Sequence, residues 1–231
     1  MIQILEGSKE RLFKYIAIGF ALLFSSGCST LNYVNQRYDT TLGKKRAVAN
    51  VYQEESLPDH LQRVAILPIY RGRYDYIDMT IMEENFIAEL TRRNLFEVVP
   101  VTKEAMTDMF PKESYSTVEF LPTKLLSKLH SAYDIDGILM MDVNYFNAYQ
   151  PVGLGIKTKL LDGHTGKIVW AADELFDSSN PPVNNAARKF YKTQSVLQFP
   201  LQNTQSVIHS PNRFSKYVAN SIFSTISLQK Y

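Results

Sequence analysis

The sequence predicts an α+β fold: a mixed β-sheet of about five strands with helices packed on it, in the order β-α-β-α-β-β-β-α. Three observations predict it. Short, nearly continuous apolar runs at 63–70, 95–101 and 137–146 have the length and texture of strands buried on both faces. Two further strand-length segments flank Asp162-Gly-His-Thr-Gly166, whose residues tolerate the positive φ of a hairpin turn. Elsewhere apolar residues recur at helical spacing, with polar residues between them.

The chain opens with Lys9, Arg11 and Lys14, diluted by Glu6 and Glu10, and continues into the apolar run Tyr15 to Phe24 and then Ser25-Ser26-Gly27. A charged start, a short apolar region and small residues are the plan of a secretory signal. The apolar run has roughly half of the ~20 residues that a membrane-spanning helix needs. Residues 1–27 are therefore expected to be a signal peptide. Residues 28–61 are polar and aperiodic and read as a flexible tether. Its cluster Lys44, Lys45 and Arg46 is either a solvated stretch or a contact for anionic lipid head groups.

A single domain is expected over 62–231. Arg63 to Tyr70 is the first strand, ended or bulged near Pro68, which has no N–H for a ladder. Asp78 or Thr80 starts a helix to about Arg93, with Ile81, Met82, Phe86 and Leu90 on one stripe. Its acidic first turn and basic last turn complement the helix dipole. Asn94 suits a left-handed stop, and Leu95 to Val101 is the second strand. Thr102 caps a short helix to Phe110, and Thr123 starts another with Leu125, Leu126 and Leu129 inward. Gly137 to Phe146 is the third strand, Leu154–Leu161 and Lys167–Phe176 the hairpin. A short helix is expected at Asn184–Lys192, and Ser210-Pro211 opens a last helix striped by Phe214, Tyr217, Val218, Ile222 and Ile226.

Twenty-five basic and 23 acidic residues give a formal charge of +2; three of the basic and two of the acidic ones precede Cys28, which leaves +1. Such balance gives no electrostatic footprint for nucleic acid. The one cysteine excludes an intramolecular disulfide, so cysteine usage says nothing more about redox compartment.

That cysteine stands at the end of Leu23-Phe24-Ser25-Ser26-Gly27-Cys28. The segment resembles the lipobox of bacterial lipoproteins, with Ser25 where leucine is usual. The resemblance implies a diacylglycerol on the Cys28 sulfur, cleavage before it and acylation of the new amino terminus. Several acyl chains are what a lasting hold on a membrane requires. In that family an aspartate after the cysteine favours the inner membrane; Ser29 implies the outer membrane, with the domain facing the periplasm.

Within the domain, Arg63-Val-Ala-Ile-Leu-Pro68, Phe96-Glu-Val-Val99, Tyr133-Asp-Ile-Asp-Gly-Ile-Leu139 and Asp162-Gly-His-Thr-Gly-Lys-Ile-Val-Trp170 resemble, in that order, three strands and the hairpin of the CsgG-type and LpoB-type periplasmic lipoprotein domains, related in shape to the amino-terminal domain of TolB. The resemblance spans residues 62–176 and the last helix. It implies a non-enzymatic envelope protein, either an accessory binding module or a subunit of a CsgG-like secretion pore, and leaves a homo-oligomer open.

The residues agree that chemistry is sparse. His60, His130, His164 and His209 show no ligand spacing, so no metal site is expected. Asp134 and Asp136 suit turns. Asp173 and Glu174 are neighbours in a strand and point to opposite faces, which rules them out as an acid–base pair. Asp142 lies inside an apolar strand and needs a partner, for which Lys157 or Lys159 on the next strand are the candidates. Gly153-Leu-Gly155 is too short for a phosphate loop and suits a strand entry. No nucleophile motif occurs. The sequence thus points to no cofactor and no catalytic residue. It points instead to an envelope protein as partner, met at Lys157 and Lys159 on the sheet or at Tyr145, Phe146 and Tyr149 where the third strand ends. Those tyrosines either form an interface or simply cover a strand end.

Overall fold

The structure, a computed structural model, describes residues 46–54, 56–195 and 204–227. All belong to the compact unit Lys44–Tyr231. Its centre is a sheet of six strands: β1 (Val51–Gln53), β2 (Arg63–Ile66), β3 (Glu97–Pro100), β4 (Gly137–Asn147), β5 (Gly153–Asp162) and β6 (Ile168–Asp177). Their spatial order is β1-β6-β5-β4-β2-β3. β2 runs parallel to both β3 and β4, and the other pairs are antiparallel, so the sheet is mixed.

The helices are α1 (Thr80–Arg92), α2 (Lys103–Met109), α3 (Leu125–Tyr133), α4 (Pro181–Ser195) and α5 (Pro211–Phe223). Their ends follow local chemistry. Asp78 Oδ1 accepts from the amide and the hydroxyl of Thr80 at 2.9 and 2.7 Å. Thr102 Oγ1 accepts from the Ala105 amide and caps α2, and Ser210 caps α5 ahead of Pro211. Asn94, expected to stop α1, has φ +51°, in the left-handed region.

Strand alternation divides the apolar residues between two cores. On one face Ile66, Leu139, Met141, Ile156, Leu160, Trp170 and Phe176 pack against α1, α4 and α5. Phe86 of α1 meets Phe223 of α5 edge-on at 5.8 Å, and Trp170 donates its indole N–H to Thr225 Oγ1 at 3.1 Å. On the other face Ala65, Leu67, Ile138, Met140 and Leu161 pack under α2, α3 and the segment around Phe110 and Tyr115. That second layer is narrower: it covers the β3-β2-β4 half of the sheet, and among the described residues no helix lies over the β5-β6-β1 half.

Two expectations are corrected. The sheet has six strands instead of five, and the extra one, β1, lies upstream of residue 62, in the stretch read as tether. Tyr52 pairs with Ala171 on the free edge of β6, and Leu57 and Leu61 are buried in the core. Arg46 fixes the entry of the chain: its guanidinium meets Glu174 at 2.7 Å and lies 4.5 Å from the centre of the Phe176 ring. A three-residue edge strand has too little periodicity to be read locally; the unpaired edge of a long neighbour makes it a strand. Second, α4 starts at Pro181, three residues before the expected Asn184. Proline fixes φ near the helical value and has no N–H to lose in a first turn, so Pro181-Pro182 opens the helix.

Candidate functional site

Three places in the described residues gather polar or exposed apolar side chains. The first is the uncovered half of the sheet. The ladder sets Tyr52 opposite Ala171, Ala171 opposite Lys159, Asp173 opposite Lys157, Leu175 opposite Gly155 and Gly155 opposite Tyr145. All therefore share one face. Tyr52 and Leu175 are 53% and 52% exposed. Lys157 meets Asp173 at 3.2 Å, and Asn144 donates to the same carboxylate at 3.2 Å.

The glycines of β5 have a clear role here. A Cβ at Gly153 would lie 2.5 Å from Tyr145 Cε1, and one at Gly155 would lie 2.9 Å from Tyr145 Cβ. The Tyr145 ring thus lies along β5 because two glycines leave it room, and the register shift between Val143 and Tyr145 turns it to this face. Phe146 faces the other way, into the helix-side core, with its ring 6.3 Å from Tyr74. Tyr149, in the loop beyond β4, is 83% exposed. The structure therefore unites Tyr145 with Lys157 and Lys159 and separates them from Phe146. Cys28 lies outside the described residues.

The second place is Asp142, buried on β4. Its carboxylate accepts from Ser116 Oγ at 2.6 Å, the Thr117 amide at 2.8 Å and Thr117 Oγ1 at 2.9 Å. Lysine is not its partner: Lys157 pairs with Asp173, and Lys159 Nζ donates to the Thr117 carbonyl. The reason is the segment 110–122, which folds over β4 and brings three neutral donors to the buried charge. Asp142 thereby pins that segment, which presents Val118 and Phe120 fully or largely exposed beside the open half-sheet. Asp173 and Glu174 point to opposite faces as expected, one to Lys157 and the other to Arg46.

The third place was not legible in the sequence. Of four histidines, three meet at one end of the sheet: His60 before β2, His130 on α3 and His164 in the β5–β6 turn. The His60 and His164 ring centres are 4.8 Å apart, those of His130 and His164 6.0 Å. His60 Nε2 lies 3.0 Å from Asp162 Oδ1, His164 Nε2 lies 3.8 Å from Asp136 Oδ1, and His130 Nδ1 lies 2.7 Å from the Ile135 carbonyl. Burial opposes ionisation of Asp162, but hydrogen bonds from Thr165 Oγ1, His60 and the His164 amide more than offset it and lower its carboxyl to about 2. Asp136 carries the other side of the corner by accepting from the Gln62 and Arg63 amides at 3.1 and 2.9 Å. Spacings of 70 and 34 residues between these histidines give no linear motif; only the sheet order brings them together.

A cleft of about 1050 Å³ also opens between the 57–62 segment and the ends of α1 and α5, with Asp59 and Arg93 as its charged residues. No helix among the described residues is long and apolar enough to cross a membrane.

No protein-family model matches the sequence, and no curated protein matches it significantly. Solved structures with a similar layout include the PelC dodecamer from Paraburkholderia phytofirmans, 13% identical with a TM-score of 0.42, covering 78% of this chain and 98% of that one. Lipoprotein GNA1162 from Neisseria meningitidis is 16% identical with a TM-score of 0.42, over 59% of this chain and 95% of that one. The LpoB C-terminal domain from Salmonella enterica is 14% identical with a TM-score of 0.33, over 54% and 84%. At these values each is a likeness to those proteins and nothing more.

Proposed function

We infer that this protein is a lipid-anchored accessory module of the bacterial cell envelope. Cys28 holds it to the outer membrane, and the open half of its sheet docks another envelope protein, with no reaction of its own. The observation that carries the docking reading is the β5-β6-β1 face: Tyr52 and Leu175 exposed, Tyr145 laid flat over two glycines, and a Lys157–Asp173 pair between them. Rigid aromatic area beside a polar pair is the composition of a binding surface, since tyrosine brings wide contact with few rotamers to freeze. The anchor rests on the signal-like sequence ending at Cys28.

The pore alternative asks more of this sheet. A membrane-crossing hairpin needs about 9–11 residues per strand with one apolar row toward lipid. β5 and β6 place Lys157, Lys159 and Asp173 on their open face and pack the opposite face under α5, which favours docking.

A photo-crosslinking residue at position 175 or 52, in cells of the native envelope, tests the surface. Both positions are expected to give one shared protein adduct, and position 108, exposed on α2, none. Equal adducts from all three positions, or adducts from position 108 alone, would sink the reading. Labelled palmitate tests the anchor: it should enter the wild-type protein and be absent from Cys28→Ala. Label retained in Cys28→Ala would place the lipid elsewhere.

A further inference from the structure

The cleft at the ends of α1 and α5 is lined by a cation that no side chain answers. That cation is Arg93, the C-cap residue of α1. Among the described arginines, Arg46, Arg63, Arg71 and Arg92 each meet a carboxylate, Arg73 and Arg213 bond a carbonyl or hydroxyl oxygen, and Arg188 has a partner too. Arg93 is the exception. It is half-buried, and its enclosed Nε has no hydrogen-bond partner. A buried donor without an acceptor is costly, so its retention calls for a reason. The last turn of α1 supplies part of one, since its partial negative charge favours a cation there.

The rest of the cleft says what could answer Arg93. Leu57, Leu61 and Ile226 line it from the core, and Leu95 and Phe96 line it half-buried. Its volume of about 1050 Å³ is at the upper end of small-molecule sites, roughly 300–1,000 Å³. The main chain offers a guest little: the amides of Leu61, Gln62, Ile226 and Ser227 already donate within the chain. An extended peptide, which is held through main-chain bonds, would find few here. Charge narrows the choice further. Ser224, the C-cap residue of α5, also lines the cleft, and Asp59 is exposed beside it. Two helix C-termini and a carboxylate disfavour a multiply charged anion and leave Arg93 to balance a single negative charge.

We propose that this cleft binds an aliphatic monocarboxylate of the fatty-acid class. The terminal nitrogens of Arg93 take the carboxylate end-on as a two-pronged donor, and the alkyl chain is removed from water against the apolar lining. The site shares no residue with the open half of the sheet, so it stands or falls apart from the docking reading.

The test uses the full-length protein in a steroid-type detergent, which has no alkyl chain to compete. Octanoate labelled with ¹³C at its carboxyl is titrated and followed by its chemical shift, with detergent blanks. Saturable binding of one octanoate per chain is expected, with acetate and octanol each about tenfold weaker or more, since one lacks the apolar body and the other the charge. Arg93→Gln should weaken octanoate about 10–100-fold through the loss of a charge-assisted pair, Arg93→Lys less, and Arg73→Gln, outside the cleft, not at all. Because Arg93 bonds no other side chain, Arg93→Gln should melt within a few degrees of wild type. A second measurement needs no variant: octanoate should protect Arg93 of the wild-type protein from phenylglyoxal and leave Arg73 reactive. Absence of saturable one-to-one binding overturns the proposal. So do affinity indifferent to Arg93→Gln, a large drop in its melting temperature, and protection that does not single out Arg93. Tighter binding of octyl phosphate, or of an acetylated tripeptide ending in leucine, overturns it in favour of that guest.

Discussion

Asp142 supports the sharpest quantitative expectation. Its carboxylate is buried on β4 and satisfies three donors from Ser116 and Thr117. In Asp142→Ala the Thr117 amide loses its acceptor in a place where water does not reach, at about 1–3 kcal/mol, and two hydroxyl bonds worth about 0.5–1.5 kcal/mol each disappear. The sum is about 2–6 kcal/mol, a large share of the roughly 5–15 kcal/mol by which a domain is stable. Asp142→Asn keeps a carbonyl for the amide and can donate to a hydroxyl, so about 1–2 kcal/mol is expected. Lys159→Met removes only a bond to the Thr117 carbonyl and should cost about 1 kcal/mol. Urea unfolding followed by the fluorescence of Trp170, the single and fully buried tryptophan, measures all three. If Lys159→Met costs as much as Asp142→Ala, a lysine is the true partner and the hydrogen-bond assignment fails. The same conclusion follows if Asn is no milder than Ala.

Three further expectations use the same fold. A chain beginning at residue 62 lacks β1, Leu57 and Leu61, and should be less stable than one beginning at residue 44 by at least about 3–6 kcal/mol, at about 1.5–3 kcal/mol for each buried leucine; equal urea midpoints would show that the upstream strand contributes nothing. Gly155→Ala places a methyl group against Asn144 and 2.9 Å from Tyr145 Cβ, so it should destabilise by about 1–3 kcal/mol, and an unchanged melting temperature would contradict the packing of Tyr145. Asp162 has its folded carboxyl lowered from 3.8 to about 2, so its contribution to stability is complete above about pH 4 and is lost as pH falls through 2. A carboxyl ¹³C titration with a midpoint near 4 would contradict the bonds from Thr165 and His60.

The sequence by itself determined the elements whose signal is local. Apolar runs of strand length at 63–70 and 137–146, the stripe of Met82, Phe86 and Leu90, the cap-and-proline pair Ser210-Pro211 and the left-handed stop at Asn94 each depend on residues a few positions apart. Backbone sterics and side-chain periodicity act at that range, so each was placed within a few residues. The opposed faces of Asp173 and Glu174 followed from the same two-residue alternation. What depended on partners distant in the chain was decided only by the tertiary structure. β1 is a strand because β6 offers it an edge, and the Gly153 and Gly155 pair makes sense only once Tyr145 lies across it. Asp142 takes its donors from residues 116 and 117 instead of the neighbouring lysines because the segment 110–122 closes over β4. The histidines at 60, 130 and 164 form a corner because β2, β4 and the β5–β6 turn end together. Local propensity carries no information on strand order, and strand order fixes which distant side chains share an end or a face. The candidate sites of this protein therefore became visible only in the folded sheet.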